Sequence, residues 1–308
     1  MFDVNGLDKL KNNIAIIRFD KKWYFHQLIC KREVKIFSAY KESNLLLRAL
    51  RKVHFKFKLP FVNIWFDSKL ENLKKYKTII IFDSALNDIF VKYIKKRVPD
   101  ARIIFWYWNP VRNSVDPKLL TDDICEKWSY SPRDCENFNL KYNTTFYFKD
   151  LHAPKAKPIY DIFFIGKDKG RLTELLDLKE KFNALNLKTY FHITPTKRYM
   201  IKSNPMYKKP ISYDDVLVKI GKSKAILDYL SDPSDGLSLR PMESIFHKKK
   251  LITNSKLIAN YDFYRPQNIF ILGRDNLSDL PEFLNSPYEE IDKEIIEKYD
   301  FKNWLNRF

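Results

Sequence analysis

Glycine is scarce in this chain. Only 6 of the 308 residues are glycine, so a phosphate loop cannot be built from a full glycine fingerprint, and neither a P-loop nor a dinucleotide-binding spacing is present. Cysteine is sparser still. Cys30, Cys125 and Cys135 form neither a disulfide framework nor a metal-binding pattern, and they read as reduced thiols of a cytosolic protein. No stretch reaches the roughly 20 consecutive apolar residues that cross a bilayer. The N-terminus begins with acidic and polar residues and lacks the long apolar run of a signal peptide or anchor.

What is abundant is apolar content and positive charge. Hydrophobic residues make up 45% of the chain, which marks a folded protein, and its length suffices for two domains with separate cores. Lys and Arg number 56 against 38 Asp and Glu, a formal charge of +18. Such a charge favours polyanions or an anionic membrane surface as partners. The excess is uneven: residues 1–58 hold 14 basic and 5 acidic side chains, a net +9.

Short apolar runs alternate with helical patterning. Residues 14–19 read as a first buried strand, and 23–53 as helical with an internal break. Strands are expected at 61–66, 78–82, 101–107, 128–131 and 144–148, with a helix at 86–97. Residues 152–158, with two prolines and little apolar content, form the expected linker. The alternation then restarts, with strands at 160–165, 188–193, 225–227, 251–253 and 269–272, helices at 172–185, 213–220 and through 242–246, and an acidic, periodic helix in 286–308 that could pack back across the domain junction. Strands separated by helices imply parallel sheets with both faces covered. The expected fold class is α/β, with two Rossmann-like domains, 1–153 and 154–308, facing each other across a cleft. One large domain with a β-rich insertion is the alternative.

Several strand ends carry polar side chains suited to chemistry. Asp235-Gly236 leads into a helix on which Arg240 and Glu243 are three apart and share a face. A Glu carboxylate can accept two hydrogen bonds from a ribose diol, and the rigid fork of an arginine can neutralise a diphosphate. Free amides at the helix start, around Ser238 and Leu239, would add positive potential for phosphate. An ordinary Arg–Glu surface pair is the competing reading. Gly166-Lys167-Asp168-Lys169-Gly170-Arg171 follows the first strand of the second half. Lys167, Lys169 and Arg171 can meet a diphosphate there, and Gly170 permits close backbone approach. A solvated basic turn fits the same residues.

Asn260-Tyr261-Asp262-Phe263-Tyr264 could supply backbone contacts and an aromatic wall, or form a rigid packed turn. In the first half, Asp83-Ser84 and Trp106-Tyr107-Trp108-Asn109-Pro110 end strands where an acceptor sugar could stack, although the aromatic residues also fit a plain core. Asp20 directly follows a strand and is the candidate general base, with His26 and His152 weaker choices. Residues 48–58 alternate basic and apolar groups. With Leu50, Val53, Phe55 and Phe57 facing the interface or core, they read either as a membrane-surface patch or as a solvated basic helix.

The run Ser238-Leu239-Arg240-Pro241-Met242-Glu243, then Lys249-Lys250-Leu251-Ile252-Thr253, then Asn260-Tyr261-Asp262-Phe263-Tyr264 resembles the ordered motifs of GT-B-type glycosyltransferases. More narrowly, it is similar to the bacterial enzymes of lipopolysaccharide and capsule synthesis. The resemblance covers most of residues 160–275 and matches the first half only in outline. It implies sugar transfer from a nucleotide-diphosphate sugar, bound by the C-terminal domain, to a saccharide or lipid-linked saccharide hydroxyl on the N-terminal domain. Glu243 would bind the donor ribose, and Arg240 would sit near the diphosphate or the transferred sugar. No metal or other cofactor is expected, because cationic groups and helix amides would support the leaving diphosphate, and the Asp-x-Asp metal motif of GT-A enzymes is missing. The implied location is cytoplasmic, peripheral on the inner face of the bacterial plasma membrane.

Two departures stand out. Lys248-Lys249-Lys250 replaces the usual Gly-Lys-Lys, so the helix end lacks its glycine cap. Phe246 and Lys250 stand where a partner glutamate would fall, so inversion or retention stays open. The rivals are a basic nucleic-acid-binding protein, which shows no motif, a non-catalytic scaffold, and a sugar-nucleotide epimerase, which would require the missing dinucleotide pattern.

Overall fold

The apolar runs become parallel strands. A computed structural model describes residues 13–19, 24–32, 34–83 and 88–308. The chain divides into Met1–Asn143 with Phe308, and Thr144–Arg307. The first unit contains β1 (Ile14–Arg18), α1 (Tyr24–Lys31), β2 (Lys35–Ser38), α2 (Leu45–Lys56), β3 (Thr78–Phe82), α3 (Asp88–Arg97), β4 (Arg102–Tyr107), β5 (Glu126–Ser129), α4 (Pro132–Phe138) and β6 (Lys141–Tyr142). Its sheet runs β2-β1-β3-β4-β5-β6, parallel throughout. The isoleucines of β3 and the Ile-Ile-Phe-Trp-Tyr run of β4 are buried on both faces, which is why they do not alternate with polar residues.

The second unit contains β7 (Tyr160–Lys167), α5 (Leu172–Ala184), β8 (Thr189–Thr194), α6 (Tyr213–Gly221), β9 (Ser223–Asp228), α7 (Leu239–His247), β10 (Lys250–Thr253), β11 (Ile269–Ile271), α8 (Leu280–Asn285), α9 (Lys293–Lys298) and α10 (Phe301–Asn306). Its order is β11-β10-β9-β7-β8, again parallel. Ile162 and Phe164 of β7 enter one core with Leu175 and Phe182, while Phe163 between them enters the opposite core with Val216, Leu217 and Ile220. This period of two seats helices on both sides of the sheet. Gly221, at the end of α6, lies so close to the linker that an added Cβ would meet the Pro154 carbonyl at 2.2 Å.

In each unit the strand order reverses beside the first strand, between β1 and β3 and between β7 and β9. Right-handed connections send the flanking helices to opposite faces there, so a crevice opens at the carboxyl ends of the strands. These are the two places where a ligand is expected on topological grounds alone.

Some local expectations are corrected. Residues 61–66 form a 3-10 turn, Val62–Trp65, rather than a strand. The break expected within 23–53 is strand β2, which separates α1 from α2. Residues 144–148 form no strand, and Tyr147 makes a single bridge to Asp300. The unit boundary falls before the expected linker because this segment packs on the second unit: Thr145 Oγ1 donates to the Leu237 carbonyl at 2.6 Å, and Tyr147 exchanges backbone bonds with Tyr299 and Phe301. The tail is two short helices, and Phe308 joins the first unit, its ring against Trp106 and Trp128. Among the described residues, no helix is long and apolar enough to cross a membrane.

Candidate functional site

At the second unit's switch point, β7 delivers a turn held in place by one buried carboxylate. Lys169 (φ 47) and Gly170 (φ 83) take successive left-handed conformations and bend the chain into α5. Asp168 is buried and accepts from Thr196 N at 2.9 Å, from the Thr196 hydroxyl and from the Tyr207 hydroxyl. Burial would raise its pKa, but these bonds outweigh burial and hold the carboxyl below the ordinary aspartate range. Asp168 therefore anchors the turn and leaves Lys167, Lys169 and Gly170 exposed. Arg171 folds back over the turn, donating from Nε to the Asp168 carbonyl and from Nη2 to the Lys167 carbonyl, both at 3.1 Å. Partial burial lowers its pKa against the pull of Asp228 and Asp168.

The neighbouring strand, β9, ends on buried Asp228. Burial pushes its carboxyl up to about 6, opposed by the Ser238 hydroxyl and by the charges of Arg240 and Arg171. Ser238 Oγ donates to Asp228 at 2.8 Å and accepts from the Arg240 amide at 3.1 Å. One serine thus caps α7 and ties its start to the strand end. Leu239 opens the helix, half-buried.

Arg240 projects back across the strand ends. Its Nη2 donates to the Ile165 carbonyl of β7 at 3.2 Å, and its Nη1 pairs with Glu243. Burial would lower its pKa, but the Glu243 charge beside it overrides burial and raises it. The Arg240 side chain keeps 18% exposure, whereas Glu243 has none. The second Glu243 oxygen accepts from Tyr213 OH at 2.7 Å.

A directed chain of hydrogen bonds lies behind that pair. The Ala153 amide donates to His247 Nδ1 at 3.3 Å, which assigns the ring proton to Nε2. His247 Nε2 meets Tyr147 OH at 2.9 Å, and Tyr147 OH meets Tyr213 OH at 2.9 Å. Burial pushes His247 down to about 4, so it is neutral at pH 7, as this donor order requires. Every link points its proton toward Glu243, which in turn holds Arg240.

The first unit's switch point carries a different group. β1 and β3 are paired in register, Ile17 opposite Ile81. Asp83 follows β3, buried, with its amide bonded to the Trp106 carbonyl at 3.0 Å. Asn109 Nδ2 donates to its carboxylate at 3.1 Å. Burial pushes Asp83 up to about 7, against the Asn109 side chain and backbone bonds from Trp108 and Asn109 that favour the ionised form.

The structure brings together Gly166, Lys167, Lys169, Gly170, Arg171, Ser238, Leu239, Arg240 and Glu243 around the ends of β7 and β9. It changes the setting of Glu243: both oxygens are engaged, so a ribose diol could reach this carboxylate only if Tyr213 or Arg240 released one. Tyr261 and Asp262 fall elsewhere in their bonding. Asp262 accepts from Lys298 Nζ at 2.8 Å and Tyr299 OH at 2.7 Å, and Tyr261 stacks on buried Phe263. These contacts make the loop a packed turn under the tail rather than an aromatic wall. Asp20 and Ser84 lie outside the described residues.

The basic run Lys248–Lys250 is structural. Lys249 Nζ donates to the Gly221 and Ser223 carbonyls, and Lys250 Nζ donates to the Gln267 carbonyl. Asp228, Tyr213, Tyr147 and His247 were not singled out by sequence reasoning. Asp228 carried a signal, a polar residue ending an apolar strand. The other three converge from distant positions and carried none. Among the described residues, no group of three or more His, Cys, Asp or Glu is placed to hold a metal.

No protein-family model matches the chain, and no curated protein matches it by sequence. Among solved structures, an α-glucosyltransferase in complex with UDP and a mismatched 13-mer DNA aligns with a TM-score of 0.54 at 10% identity, covering 96% of this chain and 92% of that one. A UDP-N-acetylglucosamine 2-epimerase aligns with a TM-score of 0.46 at 12% identity, covering 96% of this chain and 94% of that one. TarM aligns with a TM-score of 0.48 at 14% identity over 76% of this chain, which spans only 54% of TarM's length. The first of these likenesses shows the fold alone: each unit is a Rossmann-like α/β domain, as in the two-domain GT-B fold.

Proposed function

We propose that this chain is a glycosyltransferase that moves a sugar from a nucleotide-diphosphate sugar to a saccharide hydroxyl, in the synthesis of a bacterial surface polysaccharide such as lipopolysaccharide or capsule. One observation carries the reading. Two guanidinium groups from different elements, Arg171 and Arg240, hydrogen-bond to the carbonyls of Lys167 and Ile165 at the end of the same strand, where the strand order reverses. Two fixed cations beside a capped helix start suit a diphosphate. The α-glucosyltransferase that shares the fold was solved with UDP, which supports a nucleoside diphosphate as the class of ligand.

In this reading the acceptor oxygen forms a bond to the sugar's anomeric carbon as the bond from that carbon to the diphosphate oxygen breaks. Negative charge grows on the departing diphosphate. Arg171, Arg240, Lys167, Lys169 and the first amides of α7 offset it, and no metal enters the proposal. Glu243 acts as a positioning residue by fixing Arg240. The acceptor proton goes to a general base, for which Asp20 is the sequence candidate. The acceptor is a lipid-linked or free saccharide, and the enzyme works at the cytoplasmic face of the membrane.

A thermal-shift panel of nucleoside diphosphates tests the reading. One of them, at about 100 times its Kd, should stabilise the protein by about 2.7 kcal/mol. Arg240→Ala and Arg171→Ala should each weaken that binding at least tenfold. If no nucleoside diphosphate or nucleotide sugar shifts the melt, the reading fails.

A further inference from the structure

Helix α2 of the first unit turns an apolar stripe to solvent. Its inward side is Phe55 and Arg51, both buried, with the Arg51 guanidinium 3.8 Å from the Tyr40 ring centroid. Leu46, Leu50, Val53 and Phe57 recur at i, i+4, i+7 and i+11, which places them on one face at helical spacing. They are 69%, 50%, 49% and 66% exposed. The chain beyond the helix continues the surface with Leu59, Phe61 and Ile64, all exposed. Phe61 is held at φ 61, a conformation that costs a non-glycine residue, and its ring recovers none of that cost by burial.

The charge within the segment that carries the stripe has one sign. Residues 45–64 contain no Asp or Glu and five Lys or Arg. Lys52, Lys56 and Lys58 are exposed beside the stripe. Contiguous apolar surface of this kind is uncommon on a soluble monomer and marks an interaction face. A second copy would bring Lys52, Lys56 and Lys58 of two chains together, and that repulsion disfavours it.

We propose that this face docks on an anionic lipid bilayer. The helix lies in the interface plane, with Leu46, Leu50, Val53, Phe57 and Phe61 among the acyl chains and Lys52, Lys56 and Lys58 at headgroup phosphates. These exposed lysines reach phosphate by extending their stems, so apolar insertion and charge attraction act at once. The inference names the surface that would hold the chain at the membrane face proposed above, and vesicle binding tests it separately from nucleotide binding.

Co-sedimentation of the full chain with phosphatidylcholine vesicles containing about one-third phosphatidylglycerol tests the proposal. The protein should pellet with them, bind pure phosphatidylcholine vesicles much less, and dissociate as salt rises. Leu50→Ser/Phe57→Ser should reduce partitioning at least tenfold at an unchanged Tm, and Lys52→Glu/Lys56→Glu should reduce it only on anionic vesicles. If the first double variant melts early, Phe61→Ser alone replaces it, with a several-fold loss expected. Wild-type partitioning from a correctly folded Leu50→Ser/Phe57→Ser variant would overturn the assignment. So would absence of vesicle binding by a wild-type dimer that the same variant converts to monomer, which would give the face to a second copy.

Discussion

Asp83 links stability to pH through one buried carboxylate. Its unfolded pKa is near 3.9, and burial raises the folded value to about 7. Between those values the native state binds the extra proton. Its contribution to stability is therefore fully present below about pH 4 and is lost as pH climbs through 7. Asp83→Asn removes the ionisation, so the variant's Tm relative to wild type should rise steadily from pH 4 to pH 8. A parallel pair of Tm curves would show that Asp83 does not titrate in this range. Tyr213 works by a different route. Tyr213→Phe leaves one Glu243 oxygen and the Tyr147 hydroxyl short of a partner in a buried setting, which costs about 1–3 kcal/mol. The loss should appear as a lower Tm together with several-fold weaker nucleotide binding, because Arg240 is aligned through Glu243. A lower Tm with unchanged nucleotide affinity would confine the network to stability.

At the scale of elements, α7 does the most to organise the second unit's site. Ser238 starts it, the apolar side chains of Met242 and Ile245 seat it on the core, and the three-residue spacing puts Glu243 beneath Arg240. Its end is less well matched to its sequence. Lys248 occupies the left-handed region, φ 50, where its amide closes the helix on the Ser244 carbonyl. Glycine reaches that conformation without the Cβ penalty of about 1–2 kcal/mol, but loses about 0.5–1 kcal/mol of chain entropy on folding. Lys248→Gly should therefore stabilise by about 0.5–1 kcal/mol, seen as a Tm increase of a few degrees. The Lys248–Glu290 ion pair is 59% and 69% exposed and subtracts little. A lower Tm would mean that the pair matters more than the backbone. Helix α2 is the converse case. Its periodicity was readable, but a stripe at helical spacing does not say whether it faces a core or a solvent, and here Phe55 and Arg51 take the inward side.

For the whole molecule, two parallel sheets share the same reversal of strand order, and each reversal collects polar strand ends. The second unit gathers Arg171 and Arg240 there, and the first presents a carboxylate raised to about 7. The formal charge of +18 is spread over distinct tasks. Some of it lines the turn after β7, some rims the apolar face of α2, and some, as at Lys249 and Lys250, is spent on backbone carbonyls inside the fold.

The alternation of apolar runs with helical segments determined the α/β class and the parallel sheets, since only strands covered on both faces need continuous runs such as TIIIF and RIIFWY. The turn after β7 and the Ser238–Glu243 helix start were legible for the same local reason: backbone conformation and capping act within a few residues. Residues 61–66 were not legible, because an apolar run that short fits a strand or a 3-10 turn equally well. Nor was the state of Glu243. Its partner Tyr213 arrives from α6, and Tyr147 and His247 complete the chain from two further segments. The partners of Asp262 were not legible for the same reason, since Lys298 and Tyr299 come from the tail. Which carboxylates are buried, bonded or raised depends on groups brought together across long stretches of chain, and only the tertiary structure decides that.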